Sequence, residues 1–502
     1  MKKQQDELHA TERKRLLDEM REKLRAYDLV KNCPADEKEL AKLFGELIRD
    51  ILRYNPDSKS WWYYTEQGVW AKDVEAMRVR QCAKFLHDVL EEHLTDIDNE
   101  SFRNLVKRLE KRQFRNTIVS DSQDCHYIRY EMMDDKPNLF NCQNGTLDLE
   151  TLKFMPHNPD DLLTKVANVV YDPEAQCQNW EKFIGEVMEG AKDMALYLQK
   201  IFGYGLSAET NLEEFYIAYG QSTRNGKSTC IETIRFLMGG YGQSSQSATL
   251  ALKPNSSRGP SGDIARMKGV RLSVFSELPQ NLKLNAAQMK ELTGGDTITA
   301  RHMFEREFEF FMQGKIFINT NYLPIISDDT LFVSDRIRVI EFKRHFKPEE
   351  QDRNLKQKLR DPAELSGILN WCIEGLARYR EEGALPPKSV IDATERYRLD
   401  NDLIEKFMDE CLVAASENVQ AKDVHLELER WCRRHEYPSF KKGEFFAYLR
   451  RKSLLILQGT VNGKQQSNVI KGYRLVAVQE VPEERRARRN ELKMVSGGKS
   501  VF

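Results

Sequence analysis

The stretch FYIAYGQSTRNGKSTCIETIRFLMGG, Phe215 to Gly240, decides how the rest of the chain is read. An apolar and aromatic run predicts a short strand, a polar loop follows, and Ile231, Ile234, Leu237 and Met238 recur at helical spacing until Gly239 and Gly240 stop the helix. Strand, glycine-edged loop and helix in that order are the setting a phosphate-binding P-loop requires. Gly220 and Gly226 permit a tight wrap, so that successive N–H groups and the helix N-terminus face an anion. On this reading Gly220, Arg224, Asn225, Gly226, Lys227, Ser228 and Thr229 cradle ATP. Lys227 reaches the β- and γ-phosphates, and Ser228 holds Mg²⁺. Five residues separate Gly220 from Gly226 where the usual pattern has four. A GKST in an ordinary surface loop is the competing reading, and the flanking strand and helix weigh against it.

Outward from this stretch, VRLSVFSE (270–277), KIFIN (315–319) and IRVIEF (337–342) are further predicted strands alternating with helices, which makes 205–345 a nucleotide-binding α/β domain. The strand VRLSVFSE ends on Glu277, the candidate for polarising an attacking water and, with Ser228, for binding the metal. Residue 276 is Ser, which leaves much of the metal binding to Ser228.

Boundaries follow from changes of pattern. Residues 1–55 read as a charged helical segment, 56–204 as a mixed α/β domain, 346–399 as a helical lid, 400–480 as helices followed by a hairpin, and 481–502 as a flexible basic tail. In the 400–480 module, KKGEFFAYLRRK places Lys441, Lys442, Arg450, Arg451 and Lys452 on or near one helix, an arrangement suited to duplex phosphates, with protein docking as the alternative.

Bulk properties exclude several classes. At 502 residues with 40% hydrophobic and 31% charged residues, the chain has the balance of a multi-domain globular protein. No apolar run is long enough for a membrane span and none follows the N-terminal lysines, so a cytoplasmic protein is expected. Nine cysteines lie singly with no CxxC pair, which speaks against a zinc ribbon or disulfide framework. Lys plus Arg (77) balance Asp plus Glu (78), so any contact with DNA must come from local basic surfaces.

Four motifs stand in order: DIARMKGVRLSVFSE (263–277), KELTGGDTITAR (290–301), INTNYLP (318–324) and SDRIRVIEF (334–342). With the segment from Asn138 to Pro173 upstream, the chain over about 60–480 resembles superfamily 3 helicases, specifically the family of phage and plasmid primases and the poxvirus primase-helicase, helicase part only. The resemblance implies an AAA+-type P-loop core with a winged-helix-like module after it, assembled as a homohexameric ring that translocates on single-stranded DNA and opens forked DNA. It assigns Asn321 as a sensor for water or γ-phosphate, and Arg336 as the arginine supplied from a neighbouring subunit, with Arg338 competing. In TITARHMFEREFEF, read as a hairpin that projects into the channel, Arg301 and His302 are placed to touch DNA phosphates, with Lys290 a further candidate. The upstream acidic pair Asp96 and Asp98 sits among helix-like segments, so a separate primase or polymerase is the expected partner, in a bacterial host of a phage, prophage or plasmid. Two alternatives stay open: a ring ATPase that melts origins or loads partners, and a DNA-stimulated NTPase of a defence system.

Overall fold

The computed structural model describes residues 2–252, 262–301, 307–326, 328, 330–435, 437 and 439–476. His302 and the 481–502 tail lie outside the described residues. Among those residues no helix is long and apolar enough to cross a membrane.

The helix Lys2–Ala26 is not a free segment. Its Leu16, Met20 and Leu24 share one core with Phe44 and Leu47 of helix Glu37–Ile48, Trp61 of an antiparallel three-stranded sheet, and Leu86, Phe102 and Ile118 of three following helices. The boundary expected at residue 55 is therefore replaced by one module reaching to about Asp121. Apolar residues at helical spacing were visible in the first helix; what they pack against was not, because the partners lie up to a hundred residues away.

The second boundary also moves. A small antiparallel sheet from Leu139 to Met155 and the helices Gln178–Val187 and Lys192–Leu206 contribute Phe140, Leu147, Trp180, Phe183, Leu198 and Phe202 to the same core as Ile231, Phe317 and Ile340. The central domain thus begins near residue 139, and the cut expected at 204 would pass through its core.

Five parallel strands form the centre: β1 (Phe215–Tyr219), β2 (Gly242–Ser245), β3 (Leu272–Ser276), β4 (Lys315–Thr320) and β5 (Ile337–Glu341), in the order β5-β1-β4-β3-β2. Ile318 of β4 lies opposite Ile217 of β1 on one side and Phe275 of β3 on the other. All six residues of β4 are buried, as a strand covered by helices on both faces demands. Its first residue is nonetheless a lysine. Lys315 Nζ donates to Ser207 O at 2.5 Å, and the buried Arg271 just before β3 donates to Leu206 O and Leu139 O, each at 2.6 Å. Lys315 and one arm of Arg271 thus end on carbonyls at the C-terminus of helix Lys192–Leu206, which the helix itself leaves unpaired, and the other arm of Arg271 ends on the small antiparallel sheet.

The expected lid is part of the same body. Helix Pro362–Glu382 crosses Lys192–Leu206 where Gly203 and Gly375 meet: a Cβ on Gly203 would sit 2.2 Å from Leu376 N, and one on Gly375 would sit 2.0 Å from Gln199 O. Helix Lys388–Asn401 lies along β5, with Thr394 Oγ1 accepting from Val339 N at 3.0 Å. Before β4, strands Thr297–Arg301 and Glu307–Phe311 pair antiparallel, burying Ile298, Ala300, Phe308 and Phe310 on one face.

The C-terminal module has its own core around Phe407, Leu428, Trp431, Phe445 and Ile470. Helices Leu403–Cys411, Ala421–Arg434 and Lys442–Arg451 surround a hairpin, Leu455–Val461 with Lys464–Leu475, turned at Asn462 and Gly463 with φ of 47° and 73°. A third strand, Leu412–Gln420, pairs with the second hairpin strand.

Candidate nucleotide and DNA sites

β1 ends at Tyr219 and hands over to the glycine loop. Two residues in it take left-handed backbone, Arg224 with φ 57° and Gly226 with φ 79°. A Cβ at Gly226 would lie 2.5 Å from Val187 Cγ2, so both conformation and space require glycine there. The longer loop is braced from inside by the buried Asn225. Its Nδ2 donates to Ser222 O at 2.9 Å and to Phe342 O at 3.4 Å, and its Oδ1 accepts from Lys227 N at 3.3 Å. From outside, Phe346 N donates to Arg224 O at 2.9 Å, and His345 Nδ1 lies 2.9 Å from Thr223 O. The extra residue is thus taken up by the turn at Arg224 rather than by a loose loop.

Lys227 opens the helix Lys227–Met238, whose N-cap, Gly226, brings no side-chain cap. The lysine side chain is buried, and its Nζ donates to Thr320 O and to Asn321 Oδ1, the latter at 2.7 Å. Burial pushes its pKa down to about 8. A cation held between neutral oxygens in a desolvated cleft is placed to receive an anion. Beside it, Ser228 Oγ accepts from Asn319 Nδ2 at 3.3 Å, and Glu277 N donates to Asn319 O at 3.2 Å. Glu277 itself is exposed and carries φ 57°, an unfavourable conformation for a non-glycine residue at the end of a buried strand. Lys227, Ser228, Asn321 and Glu277 therefore converge on the C-terminal edge of β1, β4 and β3, the edge where parallel sheets bind ligands. Asn319 was missed from the sequence; it sits two positions before Asn321 in the same INTNYLP motif, and the alternation of the strand was the available signal.

Arg336 stands at the other end. Its carbonyl accepts from Phe215 N at 2.8 Å, at the start of β1, whereas the loop leaves from the finish of that strand. Roughly 16 Å of strand separates the two levels. The Arg336 guanidinium bonds Glu213 and, at 2.9 Å, Thr293 Oγ1. Arg338 grips the buried carboxylate of Glu214 with Nε at 2.8 Å and Nη2 at 2.6 Å. Neither arginine reaches the glycine loop of its own chain.

The residues expected on DNA are dispersed. Lys290 is tied down, its Nζ 2.8 Å from Asp328 Oδ2 and 2.5 Å from Thr330 Oγ1, which leaves it less available to a phosphate than the sequence suggests. Arg301 ends its hairpin strand opposite Glu307. Lys441, Lys442, Arg450 and Arg451 are exposed on helix Lys442–Arg451 and its N-cap, with Lys442 also resting over the Phe446 ring. Asp96 and Asp98 lie exposed between two helices, and among the described residues no group of three His, Cys, Asp or Glu side chains is arranged to hold a metal.

Residues 41–189 match the family described as D5 N terminal like, and residues 218–336 match a family of unknown function, DUF5906. A putative helicase of Acanthamoeba polyphaga mimivirus is 27% identical over 360 residues, covering 66% of this chain and 37% of that protein. A putative primase of African swine fever virus is 22% identical over 358 residues, covering 64% of this chain and 36% of that one. The matched segments and these relatives, named putative helicases and putative primases, make the chain similar to D5-type primase-helicases. The chain spans under two fifths of the length of the curated relatives it matches. Among solved structures, the C-terminal region of NrS-1 superposes with a TM-score of 0.43 at 12% identity, over 87% of this chain and 99% of that one, a likeness too loose to bear on the fold. The D5 N-terminal-like match begins inside the N-terminal module and ends inside the central core, so its limits differ from those of the two packed bodies.

Proposed function

We propose that the chain is the ATP-driven motor of a superfamily 3 helicase, built on an AAA+-type P-loop core, working on DNA as a ring. The observation that carries the reading is the buried Lys227, held by Thr320 and Asn321 at the C-terminal edge of the sheet with Glu277 alongside. The strand order β5-β1-β4-β3-β2, which puts the loop strand β1 beside the sensor strand β4, supports it. The donor set fits a nucleotide: backbone N–H groups at Gly226 to Thr229 and the Lys227 ammonium for phosphates, Ser228 and Glu277 for Mg²⁺. The metal supplies charge neutralisation on the phosphates. Asn321 orients the attacking water, Glu277 polarises it, and Arg336, remote from its own loop, serves the site of a neighbouring subunit.

The C-terminal module, three helices with a three-stranded sheet ending in a hairpin, supports a winged helix that meets duplex DNA through Lys441, Lys442, Arg450 and Arg451. A primase or polymerase then comes from a separate domain or protein. Lys227→Ala is expected to abolish ATP hydrolysis, and Glu277→Gln to keep nucleotide binding while turnover falls at least a hundredfold, because the lysine contacts phosphate in the ground state and the glutamate acts on water. Equilibrium nucleotide binding and steady-state hydrolysis on both variants check this; full turnover by Glu277→Gln contradicts the assignment.

A further inference from the structure

A cavity of about 620 Å³ opens between the N-terminal sheet, the strand β2, the turn before β3 and the hairpin. One wall is aromatic. Half-exposed Trp62 meets Tyr130 edge-on at 6.2 Å, and Tyr130 lies 5.3 Å from Phe308 of the hairpin. The other wall is basic, with Lys165, Arg266 and Lys268. Asp134 is the one carboxylate among the described lining residues, and Thr164 already occupies it, through N at 2.7 Å and Oγ1 at 2.5 Å. Burial pulls the pKa of Lys268 down, helped by Lys165 and opposed by Asp134, Asp135 and Glu131. Arg266 is exposed, and among the described residues Lys165 donates to the neutral Thr164 Oγ1, at 3.2 Å. The cleft is therefore cationic on one side and flat and apolar on the other, at a distance from the Lys227 loop.

We propose that this cleft seats a single strand of DNA, with a base against Trp62 and phosphates against Lys165, Arg266 and Lys268. Stacking on an aromatic face beside a positive groove holds unpaired nucleotides whatever their sequence. A recess of this volume admits a nucleotide-sized group and not a duplex. Phe308 belongs to the hairpin that carries Arg301, so the cleft leads the strand onto that hairpin. The proposal rests on the DNA-motor reading and adds to it a surface shared by the N-terminal module and the core.

The test is fluorescence anisotropy of a labelled oligothymidylate against the full chain, repeated over a salt series, with a blunt duplex and ATP as further arms. Trp62→Leu is expected to weaken oligothymidylate binding roughly tenfold. Arg266→Gln with Lys268→Gln is expected to lower the salt slope by about 1.4, about 0.7 for each phosphate of a single strand that is no longer neutralised. Duplex and ATP affinities should hold. Because Lys268 is half-buried, Arg266→Gln and Trp62→Leu are also measured alone, with thermal melting as the folding control. Unchanged oligothymidylate binding and salt slope in folded variants overturn the cleft assignment. An equal loss on blunt duplex, or a loss confined to ATP, overturns it in favour of a duplex or a free nucleotide. If the unaltered chain binds no single strand at all, the motor reading fails instead.

Discussion

Lys227 shows how a candidate residue can stand out in sequence while its environment does not. GKST between a strand and a helix pointed to a phosphate ligand. That the ammonium is buried against Thr320 and Asn321 required the register of β4 on β1, where Thr320 lies opposite Tyr219. The depressed pKa, about 8, has a consequence with a definite sign. Above that pH the free lysine loses its proton, and a bound triphosphate must draw one back. Nucleotide affinity is therefore expected to hold below about pH 8 and to weaken above it by up to roughly tenfold per pH unit, with proton uptake seen by calorimetry in buffers of different ionisation heat. Folding runs oppositely: the unfolded lysine keeps its proton up to its ordinary pKa, so this group costs stability below about pH 8 and the cost fades as pH rises from there. Affinity that stays level from pH 7 to 9.5, with no proton uptake, contradicts a titrating Lys227 in the phosphate site. Asn319 escaped the sequence reading because nothing marks which asparagine of NTN faces the loop until the strand is placed.

At the scale of elements, the strands FYIAY, VRLSVFSE, KIFIN and IRVIEF were legible because buried parallel strands are short apolar runs bounded by turns. β2, Gly242–Ser245, was not: GQSS is polar, four residues long and on the sheet edge, so no hydrophobic period announces it. The strand Leu412–Gln420 likewise went unread, since only Leu412 in it is buried. Helix packing between distant segments was equally hidden; Gly203 and Gly375 reveal their crossing only when the two backbones are side by side. The C-terminal helix Lys442–Arg451 offers a clean test because its basic residues are exposed. Replacing Lys441, Lys442, Arg450 and Arg451 by Gln should shift stability by about 0.5 kcal/mol per site or less. It should also lower the salt slope of duplex binding by up to about 0.9 for each DNA phosphate left without its cation. Duplex titrations over a salt series read this directly, and an unchanged slope makes the module a protein-docking surface.

For the whole molecule, the sequence suggested a string of segments, and the structure joins them. The first helix is folded into the N-terminal module, residues 139–206 into the central core, and the expected lid onto β5. Such joints rest on pairs of residues far apart in the chain, which no local pattern encodes. Arg336 carries the same lesson outward. It lies at the opposite edge of the sheet from Lys227, so the proposed catalytic role requires a neighbouring subunit. Lys227→Ala and Arg336→Ala should each be nearly inactive alone, and mixing them one to one under subunit exchange should restore about a quarter of the interfaces in a head-to-tail ring. Hydrolysis that stays absent in demonstrably mixed assemblies removes Arg336 from the shared site.

On the proposed function, nucleotide turnover at Lys227 drives the parting of DNA strands. It is tested most directly by following release of a labelled strand from forked DNA carrying 3′ or 5′ tails, using the full chain with ATP and Mg²⁺. ATP-dependent release is expected from one tailed fork, with none from blunt duplex and none with Lys227→Ala. Hydrolysis that DNA stimulates, with no strand released from either fork, would contradict it.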